Sequence, residues 1–79
     1  MILSDLRPGS RAVVADVRDA SDSDPIARRL RELGFVAGEG VRMLTAGPIG
    51  GEPLLVEIGY TRFALRRAEA ARVQLRAEA

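Results

Sequence analysis

Three arginines lie close together in the segment at 28–35, which reads RRLRELGF. Arg28, Arg29 and Arg31 offer guanidinium groups, and a guanidinium fork binds phosphate and carboxylate groups through paired hydrogen bonds. All 12 basic residues of the chain are arginine, and 11 acidic residues leave a formal net charge of +1. Because proteins that bind nucleic acid through its phosphates are usually strongly cationic, this balance disfavours a nucleic-acid partner.

The residue types that most enzymes and tight transition-metal sites require are missing. The chain contains no histidine and no cysteine, so only carboxylate and carbonyl oxygens remain as metal ligands. Asp19, Asp22 and Asp24 match a calcium loop only in part, because the glycine at the sixth position and the final glutamate of that motif are absent. They are better explained as a solvated acidic loop with a helix cap. We therefore expect no cofactor, at most weak surface binding of a divalent metal, and no enzymatic activity.

The glycine-rich stretch GPIGGEP at 47–53 is the second motif that suggests ligand binding. It resembles a phosphate-binding loop only in its glycines, because it lacks the Lys-Ser/Thr pair and does not open a helix. Apolar alternating runs stand on both sides of it. The stretch is therefore interpreted as the turn of a β-hairpin.

A single amphipathic helix is predicted from about 25 to 33. Asp24 followed by Pro25 is typical of a helix start, because the carboxylate caps free N–H groups and proline needs no partner in the first turn. Gly34 is expected to end the helix with a positive φ, and Phe35 to fold back onto the last turn. The stripe predicted to face the core is Ile26, Leu30 and Leu33. The residues predicted to face solvent are Arg28, Arg31 and Glu32.

Short strands are predicted for most of the remaining chain. In the first of them, Val13, Ala15 and Val17 share one face by the period of two. The predicted strands cover residues 11–18, 41–46, 54–59, 63–66 and 72–77, with one short helical turn at 66–71. Short strands with glycine-rich turns favour a mostly β fold, here a small barrel of about five strands with one α-helix inserted between the first two.

Two further classes of partner are disfavoured by the same pattern. A helix-turn-helix needs a second helix, but Gly38, Gly40 and an alternating apolar run follow the first one. Three aromatic residues are too few for a platform that stacks bases. No window approaches the roughly 20 apolar residues of a membrane span. We expect a cytoplasmic protein with no nucleic-acid partner and no direct membrane insertion.

Three sequence blocks in a fixed order resemble the FeoA family. They are L..LRPG..A.V near the start, RRLRELGFVAGEGVRML at 28–44 and GPIGGEPLLVEIGYTRFALRRAEAARVQL at 47–75. The most specific elements are Arg29-Leu30 followed by Leu33-Gly34-Phe35 and Gly38, the Pro48-Gly50 hairpin with Pro53, and Ala64-Leu65-Arg66 followed by Glu69-Ala70. Together they cover nearly the whole chain.

The resemblance implies an SH3-like barrel over residues 1–79 as a single domain. It also implies a small accessory or regulatory protein of bacterial ferrous iron uptake that binds the cytoplasmic GTPase region of the transporter FeoB. Our candidates for the contact are Arg28, Arg31, Glu32, Pro48, Ile49 and Tyr60. Residues assigned a structural role are Leu30, Leu33, Gly34, Phe35 and Gly38.

A second hypothesis stays open. A similar domain forms the C-terminal part of some metal-dependent transcriptional repressors. The alternative is therefore a regulatory module that senses a metal or an anion through surface Asp, Glu and Arg. A weak homodimer is also left open.

Overall fold

Five antiparallel strands and two helices make up the computed structural model, which describes residues 1–77. Positions 78 and 79 of the predicted domain lie outside the described residues. The elements are β1 (Arg11–Val17), α1 (Pro25–Glu32), β2 (Gly40–Gly47), β3 (Gly51–Ile58), β4 (Thr61–Leu65), α2 (Arg67–Ala70) and β5 (Val73–Arg76), after a single 3-10 turn at Leu3–Asp5. The mostly β fold with a helix between the first two strands is confirmed.

All strands belong to one sheet in the order β4-β3-β2-β1-β5. Strand β1 lies between β2 and β5, so the first and last strands of the chain pair with each other. Within residues 1–77 the order begins at β4 and ends at β5, without a ladder between the two. Both end strands nevertheless contribute to the same core through Leu65 and Val73, so the sheet is curved around that core.

One face of β1 is more deeply buried than the other. Ala12 and Val14 are buried, whereas Val13 and Ala15 are only half-buried on the other face. A bulge between Val14 and Asp16 in the pairing with β5 then shifts the alternation by one residue and turns Val17 back toward the core. The prediction that Val13, Ala15 and Val17 share one face is therefore wrong, because a bulge breaks the period of two on which it rested.

Aliphatic side chains from every element fill the core, as the composition predicts. Phe35 is fully buried and packs against Phe63, with the ring centroids 5.9 Å apart. The other fully buried positions include Leu3, Val14, Met43, Val56, Ala70 and Val73. Helix α1 contributes Ala27 and Leu30.

Hydrogen bonds between neighbouring residues fix both ends of helix α1. The Asp24 carboxylate accepts hydrogen bonds from the N–H groups of Ile26 and Ala27 at 3.0 and 3.3 Å. At the other end the Phe35 N–H donates to the Leu30 carbonyl and the Gly34 N–H to the Arg31 carbonyl, both at 3.1 Å. These two bonds form a Schellman motif with Gly34 at φ +113°.

We expect Gly34→Val to lower the free energy of unfolding by about 1–2 kcal/mol, because a β-branched residue resists a positive φ. No heavy atom lies within 4 Å of a Cβ built at Gly34, so the effect comes from the backbone alone. Urea denaturation measures it, with Ala37→Val at an exposed loop position as the matched control. Equal midpoints for the two variants would contradict the role given to Gly34.

Candidate protein-binding surface

The outer face of α1 displays charged side chains on a rigidly held helix. Ala27 and Leu30 fix the inner face in the core, and Arg28, Arg29 and Glu32 are exposed. Arg28 and Glu32 stand one turn apart, but no ion pair joins them among the described residues. Both side chains are therefore available to a partner.

Arg31 is exposed, as predicted, but it also makes hydrogen bonds within the chain. One guanidinium nitrogen, Nη2, donates to the Val17 carbonyl at 2.7 Å and to the Asp19 carboxylate at 2.8 Å. These bonds join α1 to the end of β1 and to the loop that follows it. The side chain stays 43% exposed, but its hydrogen bonds are made within the chain, so the charged display on α1 consists mainly of Arg28, Arg29 and Glu32.

Asp24 is the centre of a network that the sequence did not reveal. Besides capping α1, its carboxylate accepts from the Ala20 N–H at 2.8 Å and from the Arg72 Nε at 2.6 Å. Arg72 also donates to the Ala68 carbonyl at 2.7 Å. Asp24 is therefore the predicted helix cap, and it is also buried.

The same network sets the ionisation of the carboxyl group. The hydrogen bond from Arg72, and then that from the Ala20 N–H, hold the pKa of Asp24 well below its ordinary value of 3.8. Burial acts in the opposite direction but is outweighed. Asp24 therefore stays ionised as a fixed link between α1 and the end of α2, and it is not a free ligand for a metal.

A shallow apolar groove adjoins the charged face of α1. Three half-buried apolar side chains line a space of about 160 Å³: Ile26 of α1, Leu33 at the C-terminal cap of α1, and Phe63 of β4. Arg29 and Glu69 also line it. The sequence assigned Ile26 and Leu33 to the core stripe. The structure places them at its margin, where they are accessible to an apolar side chain of a partner.

The other predicted contact residues do not join this surface as one patch. Ile49, next to Pro48 in the β2–β3 turn, is 81% exposed, and Tyr60 is fully exposed in the β3–β4 turn. These turns lie at opposite ends of β3, whose eight residues span roughly 25 Å at strand rise. Ile49 and Tyr60 are therefore separate exposed positions.

The predicted structural residues occupy the helix end and the loop that follows it. Leu33 caps the C-terminus of α1 and is half-buried. Gly38 lies in the loop between α1 and β2, where its N–H donates to the Val14 carbonyl at 2.9 Å. The loop is thereby attached to β1 before β2 begins.

Two kinds of feature are not found in the part of the chain that the structure describes. No group of three or more acidic side chains is placed so that it could hold a metal ion. No helix between residues 1 and 77 is both long and apolar enough to cross a bilayer.

The FeoA domain model matches residues 1–77. The chain belongs to the FeoA family. Its structure is similar to that of Stenotrophomonas maltophilia FeoA, solved with zinc and described as an SH3 domain protein, at 60% identity and a TM-score of 0.90, covering 96% of this chain and 89% of that one. The FeoA protein of Chlorobium tepidum is 34% identical, with a TM-score of 0.84 over 100% of this chain and 71% of the other.

The FeoA fold also occurs in a larger regulator. A manganese-dependent transcriptional repressor matches at 23% identity and a TM-score of 0.79, covering 99% of this chain and 41% of the repressor. At this identity the likeness shows the fold alone. No curated protein matches the chain. Membership in the FeoA family associates the chain with ferrous iron transport, and the SH3-like fold is confirmed.

Proposed function

We propose that the protein is a small cytoplasmic accessory protein of bacterial ferrous iron uptake that binds the cytoplasmic GTPase region of the FeoB transporter. The observation that carries this proposal is the FeoA match over residues 1–77. A role as a ferrous iron transport activating factor has been suggested for the Stenotrophomonas protein, which is 60% identical. The chain acts by binding and performs no catalysis of its own.

The surface that we propose for this contact is the outer face of α1 together with the adjoining groove. A rigid surface loses little conformational freedom when it binds, and α1 is held by the Asp24–Arg72 and Arg31–Asp19 pairs. Exposed Arg28 and Arg29 would steer the encounter with an acidic partner surface. The groove beside them would take an apolar side chain and supply affinity.

The arginines also suit a GTPase as the partner. A GTPase is accelerated when a partner supplies an arginine to the transferring phosphate or orders its switch loops. Arg28 and Arg29 are exposed on a firmly anchored helix. Either effect would let a protein without catalytic residues regulate a transporter.

We expect Arg28→Glu with Arg29→Glu to weaken binding to the isolated FeoB cytoplasmic domain about tenfold at low salt, chiefly through the association rate. Surface plasmon resonance at two ionic strengths measures this, and the melting temperature should change little because both sites are exposed. The matched control is Arg7→Glu with Arg18→Glu, which changes the charge equally at two other exposed positions.

Two outcomes count against these proposals. If the α1 variant binds as tightly as the parent at low salt, the interface lies elsewhere, and Ile49 and Tyr60 become the next positions to test. If the parent chain does not bind the FeoB cytoplasmic domain at all, the proposed partner is wrong.

The sensing module remains the second candidate because the Stenotrophomonas relative was solved with zinc. We expect ferrous iron to bind this chain only in the millimolar range, since scattered carboxylates with water ligands hold divalent ions weakly. Anaerobic calorimetry with ferrous iron measures the affinity. A one-to-one site of micromolar affinity would contradict the expectation and favour a metal sensor.

A further inference from the structure

The solvent-facing side of the sheet carries a row of charges that crosses four strands. In the observed register Arg11 stands opposite Arg42, Arg42 opposite Glu57, and Glu57 opposite Arg62. The neighbouring positions Ala12, Val41 and Ile58 are buried, so the charged row lies on the opposite face of the sheet from the core.

A depression lies beside this row because the next positions lack side chains. Gly40 lies two residues before Arg42 at the start of β2, and Gly59 lies two residues after Glu57, just beyond the end of β3. A Cβ built on either glycine meets no heavy atom within 4 Å. The resulting space is about 260 Å³ and is lined by Arg11, Gly40, Val41, Arg42, Glu57 and Gly59.

The charge around this depression is unbalanced. The Glu57 carboxylate forms an ion pair with Arg62 of β4, with 3.5 Å between Glu57 Oε2 and Arg62 Nε. The negative charge of Glu57 is therefore partly neutralised by β4 and not by Arg11 or Arg42. The side chains of Arg11 and Arg42 make no hydrogen bond or ion pair with any residue between 1 and 77. Like charges directly opposite each other on paired strands repel, and an anion between them would remove this repulsion.

We propose that this depression binds a phosphate group held between Arg11 and Arg42. A phosphate dianion offers several oxygens to two guanidinium forks, and charge-assisted hydrogen bonds of this kind are stronger than those between neutral groups. The space admits a phosphate with its hydrating water. Free inorganic phosphate and a phosphate of a nucleotide present the same chemistry. The site lies on the sheet and does not depend on the α1 surface proposed for FeoB.

The test is a titration of the full chain with sodium phosphate at constant ionic strength, followed by the amide chemical shifts in two-dimensional NMR spectra. We expect saturable shifts centred on the amides of Gly40, Val41 and Gly59. Arg42→Gln should weaken binding about tenfold. Arg18→Gln, which removes the same charge from an exposed site after β1, should leave it unchanged.

A third variant separates the shape of the site from its charge. Gly40→Leu retains both arginines but places a large side chain in the depression, and it should abolish the saturable shifts. Repeating the titration with GDP distinguishes the two phosphate sources, since a nucleotide site would bind GDP more tightly than inorganic phosphate. Shifts that do not saturate, or equal weakening by Arg42→Gln and Arg18→Gln, would overturn the proposal.

Discussion

Asp24→Ala is expected to lower the melting temperature by about 10 °C or more. The substitution removes the acceptor for the N–H groups of Ile26, Ala27 and Ala20, and it leaves the Arg72 guanidinium without its carboxylate. The Arg72 side chain is only 17% exposed, so water replaces the lost partner poorly. Calorimetry measures the change, with Asp22→Ala, an exposed acid of the same loop, as the matched control.

The acid stability of the fold tests the same network through its charge. Since the pKa of Asp24 is lowered from 3.8 in the folded protein, the unfolded chain takes up the proton first as the pH falls. The stability that this carboxylate contributes is complete at neutral pH and is lost below about pH 4, as the pH approaches the lowered pKa.

Asp24→Asn keeps a cap acceptor but has no charge to titrate. We expect its stability to fall less steeply than that of the parent when urea denaturation is repeated from about pH 5 to pH 2. Parallel curves for parent and Asp24→Asn would show that the Arg72 pair does not control this region. An unchanged melting temperature in Asp24→Ala would contradict the network as a whole.

Gly47→Ala should destabilise the protein by about 3 kcal/mol, a large effect for a single methyl group. A Cβ at Gly47 would overlap the backbone carbonyl of Glu52 and stand 2.7 Å from the Pro53 nitrogen. These are backbone atoms of the facing strand, so neither can rotate away as a side chain would. Gly47→Ala must therefore push β2 and β3 apart at their shared turn.

The matched control for this change is Gly40→Ala. Gly40 is the first residue of β2 and Gly47 is the last. A Cβ added at Gly40 meets no heavy atom within 4 Å. Both variants add the same methyl group to the same strand. A difference between their free energies of unfolding, measured by urea denaturation, therefore reports the space around each methyl group. Similar midpoints for the two variants would mean that the hairpin relaxes at little cost.

The features that the sequence predicted correctly are those fixed by neighbouring residues. The Asp24-Pro25 start and the Gly34 stop of α1 are local hydrogen-bond chemistry, and both are present. The strands and their turns also follow from local alternation and glycine-rich breaks. The mostly β fold could therefore be read without any knowledge of the partner strands.

The features that the sequence missed depend on contacts between distant residues. Val17 was wrongly grouped on the face of Val13 and Ala15, because the bulge that separates them forms only in the pairing of β1 with β5. Arg31 and Arg72 find carboxylates 12 and 48 positions away, and no local pattern specifies such pairs. The opposition of Arg11 and Arg42 likewise needs the strand register. The candidate site could thus be predicted by residue type, but not in its arrangement.

The pairing of the first strand with the last has a consequence for synthesis on the ribosome. Val14 stands opposite Leu75, so β1 leaves the exit tunnel long before its second neighbour has been translated. Because translation proceeds at about 5–20 residues per second, one edge of β1 has no strand to pair with for several seconds. The polypeptide is therefore expected to complete its sheet only after β5 emerges, and nascent chains that stall earlier would expose an unpaired strand to chaperones and proteases.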